Sequence, residues 1–449
     1  MRLLRFLFSR FFICITVIAA LIAAIIFLCV YIHSLLPAAT AIALAYIISS
    51  AAAISTLVKD EPEAFACAWL AVIIFLPIVG AILYGLYSAS SLKTISPTPF
   101  PDIAYYDDFE YFDDGGPFLE KLIEFSSSAE KSIYLEFYII AKGSIWNRLL
   151  GSLLSALSRG VEVKIICDGL GSALRAPAKD FKKLKAAGAQ IKIFNRIIPA
   201  PVSRLNFRDH RKIAAFDEKA VFLGGVNIAD EYSHLTAPHG YWKDGGALFF
   251  GQIAKVYSSI FLNDFSKASP LAKGEGKYSL LPVTDGPERK GSLCEDTITS
   301  AIYSAKERVY IFTPYLCISQ KLCDALTFAS KRGVAVKIII PGIPDKKLTY
   351  SITRAYCKKL TARGVEVYEY SPGFMHLKGV ICDDNALLGS YNLDFRSLYL
   401  NRECGVWAGK EIAEKMSADF ESCLTQCRKF DRSKHAMPLS LARLIAPLV

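Results

Sequence analysis

The front of the chain is apolar and uncharged over long stretches; behind it, short β-branched runs alternate with amphipathic segments. Phe11 to Ile32, Leu35 to Val58 and Ala64 to Tyr87 carry no formal charge. As a helix, each is long enough to cross a bilayer core of about 30 Å. A cleaved signal peptide has one short apolar region, so three in succession point to a retained membrane part. Pro77, Gly80 and Gly85 make the third the least regular helix of the set. Further along, VKIIC (163–167) and VKIII (336–340) are too apolar for exposed strands and suit a sheet covered on both faces. Their alternation with amphipathic helices predicts α/β architecture.

The second part of the chain repeats itself. SAEKSIYLEFYII (Ser128 to Ile140) resembles SAKERVYIFTPYL (Ser304 to Leu316) at an offset of 176. RGVEVKII (Arg159 to Ile166) matches RGVAVKII (Arg332 to Ile339) at 173, and AAGAQIKIF pairs loosely with TARGVEVYE near 175. Shrinking offsets mean loops of unequal length between equivalent elements. Two halves of like fold are therefore expected, related by a pseudo-twofold axis that brings equivalent segments face to face.

The chemistry lies in the most similar segments. HRKIAAFD gives His210, Lys212 and Asp217; HLKGVICD gives His376, Lys378 and Asp383, every pair 166 residues apart. GGVN, with Gly225 and Asn227, follows the first; GSYN, with Ser390 and Asn392, follows the second. His and Lys two apart on a strand share one side. Imidazole can attack or move a proton near neutral pH, and ammonium offers a point charge to a phosphate oxygen. A Gly-rich turn lets backbone N–H groups approach an anion, with Asn as a further donor. Asp217 and Asp383 suit a structural or orienting part of this catalytic string better than proton transfer. Asp244 (in YWKD) and Glu403 (in NRE) are the candidate carboxylates behind the imidazoles, where they would hold tautomer and cation.

Composition narrows the partner. Of 449 residues 53% are hydrophobic, more than an ordinary soluble enzyme carries. Net charge is +10, of which residues 1–95 hold +2, so the remainder is basic. A basic body beside a membrane suits an anionic lipid surface, although charge alone would also suit nucleic acid. Arg2, Arg5 and Arg10 favour a cytoplasmic N-terminus. Three full spans would put the basic part outside; an interfacial or re-entrant third stretch keeps it in the cytoplasm, and two spans plus such an element is the favoured reading. The twelve cysteines show no C-x-x-C pairing, and Cys167 and Cys382 read as buried thiols of a reducing compartment.

These strings resemble the phospholipase D superfamily and, within it, bacterial cardiolipin synthases. The resemblance covers nearly the whole chain: NFRDHRKIAAFDEKAVFLGGVNIADEY, HLKGVICDDNALLGSYNLDFRSLYLNRE, EFYI, CDGLGS, TPYL, the apolar front ending AWLAVIIFLPIVGAILYGLY and the tail LSLARLIAPLV. It implies a membrane region over 1–95, phospholipase D-like α/β domains over 96–275 and 276–430, and a membrane-surface tail over 431–449. It implies no metal or other cofactor, phosphatidylglycerol as substrate and no nucleic-acid partner. The bacterial inner membrane follows as location, with the catalytic part on its cytoplasmic face. It further implies His210 as nucleophile, His376 as acid and base, and Lys212, Lys378, Asn227 and Asn392 on the nonbridging oxygens. Gly225 and Ser390 would line the phosphate. The chain departs from the family in its three apolar stretches and in having no serine hydroxyl at Gly225. A hydrolytic phospholipase D, a nuclease and a non-enzymatic membrane scaffold remain as other readings.

Overall fold

The computed structural model describes residues 19, 21–29, 38–58, 63–89, 103–196, 206–266, 274–289, 291–434 and 436–448. They fall into two compact units. One draws on residues up to 89 and on 443–448; the other is built from 103–196 and 206–442.

In the first unit, residues 21–29 are helical, and most of the first apolar stretch lies outside the described residues. The second stretch forms α1 (Ala38–Val58). Among the described residues no helix is both long and apolar enough to cross a membrane; α1, at 21 residues without a charge, comes nearest. Its surface is inverted relative to a soluble helix: Ile42, Leu44, Ile47, Ile54 and Leu57 are exposed, whereas Ser49 and Thr56 are buried. The third stretch does not form one helix. It breaks at Leu76 into α2 (Glu63–Phe75) and α3 (Pro77–Ala89). Pro77 has no N–H to continue the ladder, and Gly80 meets the first arm so closely that a Cβ would lie 2.6 Å from the Val72 carbonyl. The arms fold back on each other, with the Trp69 ring 5.5 Å from Tyr84 and 5.0 Å from Tyr87. Each arm has 13 residues, about 20 Å at 1.5 Å per residue.

The second unit is the expected duplication. Its first half runs β1 (Ala104–Tyr106), β2 (Asp108–Phe112), α4 (Gly115–Ser128), β3 (Ser132–Phe137), α5 (Ser144–Ser158), β4 (Glu162–Asp168), α6 (Ala178–Ala186), β5 (Gln190–Phe194), β6 (Arg208–Asp209), β7 (Lys212–Phe216), β8 (Ala220–Gly224), β9 (Tyr241–Lys243), β10 (Gly246–Phe250) and α7 (Gln252–Ser266). The second runs β11 (Tyr278–Asp285), α8 (Leu293–Ser304), β12 (Arg308–Phe312), α9 (Gln320–Lys331), β13 (Ala335–Pro341), α10 (Lys347–Thr361), β14 (Glu366–Tyr370), β15 (Gly373–Met375), β16 (Gly379–Cys382), β17 (Asn385–Gly389), α11 (Phe395–Tyr399), β18 (Asn401–Ala408), α12 (Lys410–Leu424) and β19 (Cys427–Lys429). A short helix, α13 (Leu439–Ile445), and a 3-10 turn (Ala446–Leu448) close the described chain.

One sheet has the order β2-β10-β8-β7-β3-β4-β5. The other contains the same series in its second-half equivalents, β11-β18-β17-β16-β12-β13-β14, with β1 and β19 added at its edges. The RGV strands β4 and β13 lie inside parallel triplets, which explains their apolar runs. In both halves the RGV glycine adopts a positive φ, 85° at Gly160 and 89° at Gly333, letting the helix end and the chain turn directly into the strand. The halves share one core. Tyr134, Leu223, Tyr257 and Phe261 pack in the same buried cluster as Tyr310, Ile381, Leu388, Met416 and Phe420. β1 adds a swap the repeat did not forecast: it opens the first half yet pairs with β11 of the second. Cys167 and Cys382 are buried free thiols, as read from the sequence.

Candidate active site

Each motif histidine is held by a strand of the opposite half. Short β6 lies parallel to β18, with Arg208 opposite Asn401 and Asp209 opposite Arg402. The His210 N–H then donates to the Arg402 carbonyl (2.9 Å), which places the next residue, Glu403, beside the ring. On the other side β15 lies parallel to β9, with Phe374 opposite Trp242 and Met375 opposite Lys243. The His376 N–H donates to the Lys243 carbonyl (2.7 Å), and the next residue is Asp244. One register thus operates twice: the carboxylate follows the carbonyl that receives the histidine N–H.

The imidazoles meet those carboxylates directly. His210 Nδ1 lies 2.9 Å from Glu403, and His376 Nδ1 lies 2.5 Å from Asp244 Oδ2. An ionised carboxylate can only accept, so the proton facing it sits on Nδ1 and the lone pair on Nε2. Lys378 Nζ crowds the second ring, 2.6 Å from His376 Nδ1 and 3.3 Å from Asp244 Oδ2. Each lysine also donates to the carbonyl of its own motif histidine, Lys212 Nζ at 2.5 Å, and Lys212 Nζ lies 5.7 Å from the centre of the Tyr138 ring.

Both histidines, both lysines and both carboxylates are buried. Burial, followed by the charges of Lys212 and Lys378, holds His210 well below the usual imidazole range. Burial and then Lys378 bring His376 down to about 3. Burial likewise lowers Lys212 to about 7 and Lys378 to about 8. Each imidazole therefore lies within electrostatic reach of the other motif's ammonium. The tails converge as well: a Cβ on Gly225 would lie 2.2 Å from Asp244 Oδ1 and 2.9 Å from Lys378 Nζ.

The two carboxylates differ. Burial raises Glu403 to about 7, against the pull of Lys212 and of hydrogen bonds from Ser390, Ser397 and Asn401. Asp244 also suffers burial, yet Lys378 and then His376 draw it below the ordinary aspartate value, helped by the Gly245 N–H at 2.9 Å. Ser390 bonds Glu403 through its hydroxyl. Gly225, its counterpart, leaves room for Asp244 instead.

Not every residue of the two strings reaches this site. Asp217 and Asp383 sit beyond the far ends of β7 and β16. Asp217, at φ 56°, accepts from the N–H groups of Glu130, Lys131 and Ser132 at 3.0, 2.7 and 2.8 Å. Asp383, at φ 50°, does the same for Lys306, Glu307 and Arg308 at 2.8, 3.0 and 2.9 Å. They clasp the segment leading into β3 and β12, which is an architectural part. Asn227 is engaged by the protein, accepting from the Ile139 N–H (3.0 Å) and donating to the Tyr232 hydroxyl (2.6 Å). The Asn392 side-chain oxygen is buried without a hydrogen-bond partner.

Sequence reasoning missed a brace behind each carboxylate. Lys243 donates to Asp419 on α12 at 2.6 Å, and Tyr111 binds the same carboxylate at 2.8 Å. Arg402 donates to Asp264 on α7 at 2.8 Å, and Arg211 pairs with that carboxylate too. The legible signal was a cation immediately before each candidate carboxylate, Lys243–Asp244 and Arg402–Glu403. Also missed was an aromatic wall around His376, with Trp242, Phe374 and Tyr232 at 5.1, 5.5 and 5.5 Å between ring centres; Tyr138 stands 5.0 Å from His210. Among the described residues no group of three His, Cys, Asp or Glu side chains is placed to hold a metal ion.

The arrangement brings two buried imidazoles and two buried lysine side chains from the two halves within electrostatic reach of one another. Comparisons with known proteins show the family. A family model described as cardiolipin synthase, PLD-like domain matches residues 122–236 and 298–424, and a phospholipase D-nuclease N-terminal model matches residues 38–86. A Clostridium perfringens cardiolipin synthase is 30% identical over 85% of this chain and 94% of its own length. The major cardiolipin synthase ClsA of Bacillus subtilis is 28% identical over 91% of this chain and 98% of its own. The crystal structure of Haemophilus influenzae phosphatidylserine synthase shares the fold, with a TM-score of 0.61 at 15% identity over 78% of this chain and 98% of that one.

Proposed function

This chain belongs to the PLD-like cardiolipin synthase family, and on that premise we propose that both of its substrates are phosphatidylglycerol. It is a phosphatidyltransferase that forms cardiolipin; the headgroup donor, the roles of individual residues and the membrane arrangement are the proposal. The observation that carries it is the doubled bond from imidazole Nδ1 to a carboxylate of the other half, at 2.9 Å and 2.5 Å.

His210 Nε2 attacks the phosphorus of the first phosphatidylglycerol, and the bond from phosphorus to the headgroup glycerol breaks. His376 gives its Nε2 proton to the departing glycerol oxygen. The headgroup hydroxyl of a second phosphatidylglycerol returns a proton to His376 while its oxygen displaces His210 from phosphorus. The covalent step divides one hard substitution into two easier ones. One phosphodiester replaces another, so the reaction is reversible and needs no external energy source. His376 must start as a cation although its proton affinity is low in the empty site. The arriving phosphate offsets the Lys212 and Lys378 charges, and the ionised Asp244 stabilises the cation. Those ammonium ions face the charge that grows on the nonbridging oxygens. Asn227 contributes by holding Ile139 and Tyr232 in place, and Asn392 offers its amide from the other tail. The aromatic wall keeps water from the intermediate, which favours a lipid hydroxyl over hydrolysis.

The inverted surface of α1 and the short folded-back pair α2–α3 support two crossings by the first two apolar stretches, with the third as a re-entrant or interfacial hairpin. The catalytic part then faces the cytoplasm of a bacterial cell, as does the α13 tail. Cysteine labelling of intact and opened cells tests this sidedness. The reaction itself is tested by supplying the full chain with phosphatidylglycerol vesicles and following lipids by mass spectrometry. Cardiolipin with free glycerol is expected; phosphatidic acid alone would replace this reading with hydrolysis.

A further inference from the structure

Joining two phosphatidylglycerols brings a second phosphodiester to within a glycerol's length of the reacting one. Lys212 and Lys378 are committed to the first anion. A second anion beside it would be repelled unless matched by further cations. Two cations on the second half meet that need, Arg396 bonded to the segment that leads into His210 and Lys346 over an aromatic ring of the group around His376.

Arg396 follows Asn392 by four residues, on α11. It is half-buried, and its guanidinium donates to the Asn206 carbonyl at 2.9 Å, on the segment that leads into His210. Among the described residues that is the one hydrogen bond its side chain makes, which leaves most of its planar fork unspent. Lys346 stands just before α10, with 64% of its side chain exposed and Nζ 5.2 Å from the centre of the Tyr315 ring. The Tyr315 ring lies 6.2 Å from Phe374, which lies 5.5 Å from His376. Asp345 is the carboxylate next to Lys346, 3.9 Å from Nζ, and it is already engaged by the Tyr315 hydroxyl at 2.5 Å. Both cations act on His210 through space, after its own burial and the two motif lysines, so both stand within electrostatic reach of the reacting centre.

We propose that Arg396 and Lys346 form the acceptor site, holding the phosphodiester of the second phospholipid while its headgroup hydroxyl faces the phosphohistidine. The guanidinium fork takes two oxygens, and the ammonium, at the end of a long mobile stem, takes the third contact from the solvent side. Water and free glycerol carry no phosphate and gain nothing there. The pair therefore selects a lipid acceptor over small hydroxyl compounds. This rests on the proposed use of phosphatidylglycerol on both sides of the reaction.

Two readouts on the full chain in phosphatidylglycerol vesicles separate the possibilities. Exchange of labelled glycerol into phosphatidylglycerol uses the donor step with an acceptor that has no phosphate. Cardiolipin formation uses the same step with the lipid acceptor. Arg396→Gln and Lys346→Gln should each lower cardiolipin formation about tenfold, the size of one charge-assisted contact, chiefly by raising the phosphatidylglycerol concentration required. Glycerol exchange should stay within about twofold, as should the melting temperature's ligand-free value within a few degrees. Loss of both readouts, or of neither, in a wild-type background that performs both would overturn the acceptor site while leaving the reaction standing. A wild-type chain that performs neither would overturn the reaction and this site with it.

Discussion

The two halves use the same strand register to hold a histidine, yet they prepare it differently. On the first side, Glu403 reaches His210 from among three hydrogen-bonding side chains, Ser390, Ser397 and Asn401, and burial lifts it to about 7. On the second, the shorter Asp244 lies against Lys378 and a backbone N–H and stays below the ordinary aspartate range. A carboxylate that remains ionised throughout favours a neighbouring imidazolium, whereas one poised near neutrality favours that cation less and, in its ionised form, keeps the proton of a neutral ring on Nδ1 and the lone pair on Nε2. The difference supports assigning attack to His210 and proton transfer to His376, a division that two near-identical strings could not supply.

The sharpest way to break this asymmetry is to remove each ring. His210→Ala and His376→Ala should each lower cardiolipin formation by on the order of 10⁴-fold or more. Acid-quenched protein exposed to phosphatidylglycerol labelled in its phosphate should retain label in His376→Ala and not in His210→Ala. Label in the His210→Ala protein would reverse the assignment.

Next in size is the carboxylate exchange. Because Glu403 sits near 7, turnover should rise as pH increases through about 7: protonated Glu403 would instead place its proton towards Nδ1 and leave hydrogen on the attacking Nε2. Glu403→Gln should flatten that limb and cost roughly a hundredfold or more in kcat. The stability sign is opposite. A carboxyl whose folded value lies above its unfolded value near 4.5 loses stabilisation as pH rises from about 4.5 to 7. Denaturant titrations of wild type and Glu403→Gln should show the variant without that loss. Asp244 is lowered, so its contribution is present above its unfolded value and fades as pH falls below it.

Smaller effects are expected from the braces and tails. Asp419→Asn leaves Lys243 buried with the Asp113 carbonyl but without its charged partner and should destabilise the fold by about 3 kcal/mol. Its kcat should fall about tenfold, with little change in the phosphatidylglycerol requirement, because Asp244 loses its fixed position. Gly225→Ser places a Cβ 2.2 Å from Asp244 Oδ1 and should slow turnover about tenfold, whereas Ser390→Gly removes one hydroxyl and should cost less. Smallest for catalysis is Asp217→Asn. It weakens a three-donor clasp by about 1–2 kcal/mol, read as a lower melting temperature with kcat unchanged. A large kcat loss without destabilisation would return Asp217 to the active site.

Much of the fold could be read because its signals are local. Matching runs such as RGVEVKII and RGVAVKII become equivalent parallel strands, since an all-apolar β-branched run can be satisfied only between covered neighbours. Pro77 and Gly80 foretold an irregular third stretch, but its closure into a hairpin rests on Trp69 meeting Tyr84 and Tyr87, ring contacts that no periodicity announces. Asp244 and Glu403 were named as candidates from residue type, and each reaches its histidine only through a strand of the opposite half. Asp217 and Asp383 belong to the same strings as the histidines and still end elsewhere, because a strand of five residues separates its two ends by roughly 17 Å.

The sequence by itself determined that two equivalent α/β halves each bring one imidazole and one ammonium, since repeat spacing and residue chemistry are properties of the chain. The tertiary structure alone decided which carboxylate serves which ring, how far Gly225 opens the second side, and which residues brace each carboxylate. Those choices depend on register between segments some 130 to 190 residues apart and on the loss of water around them, and both arise only when the halves close on a common core.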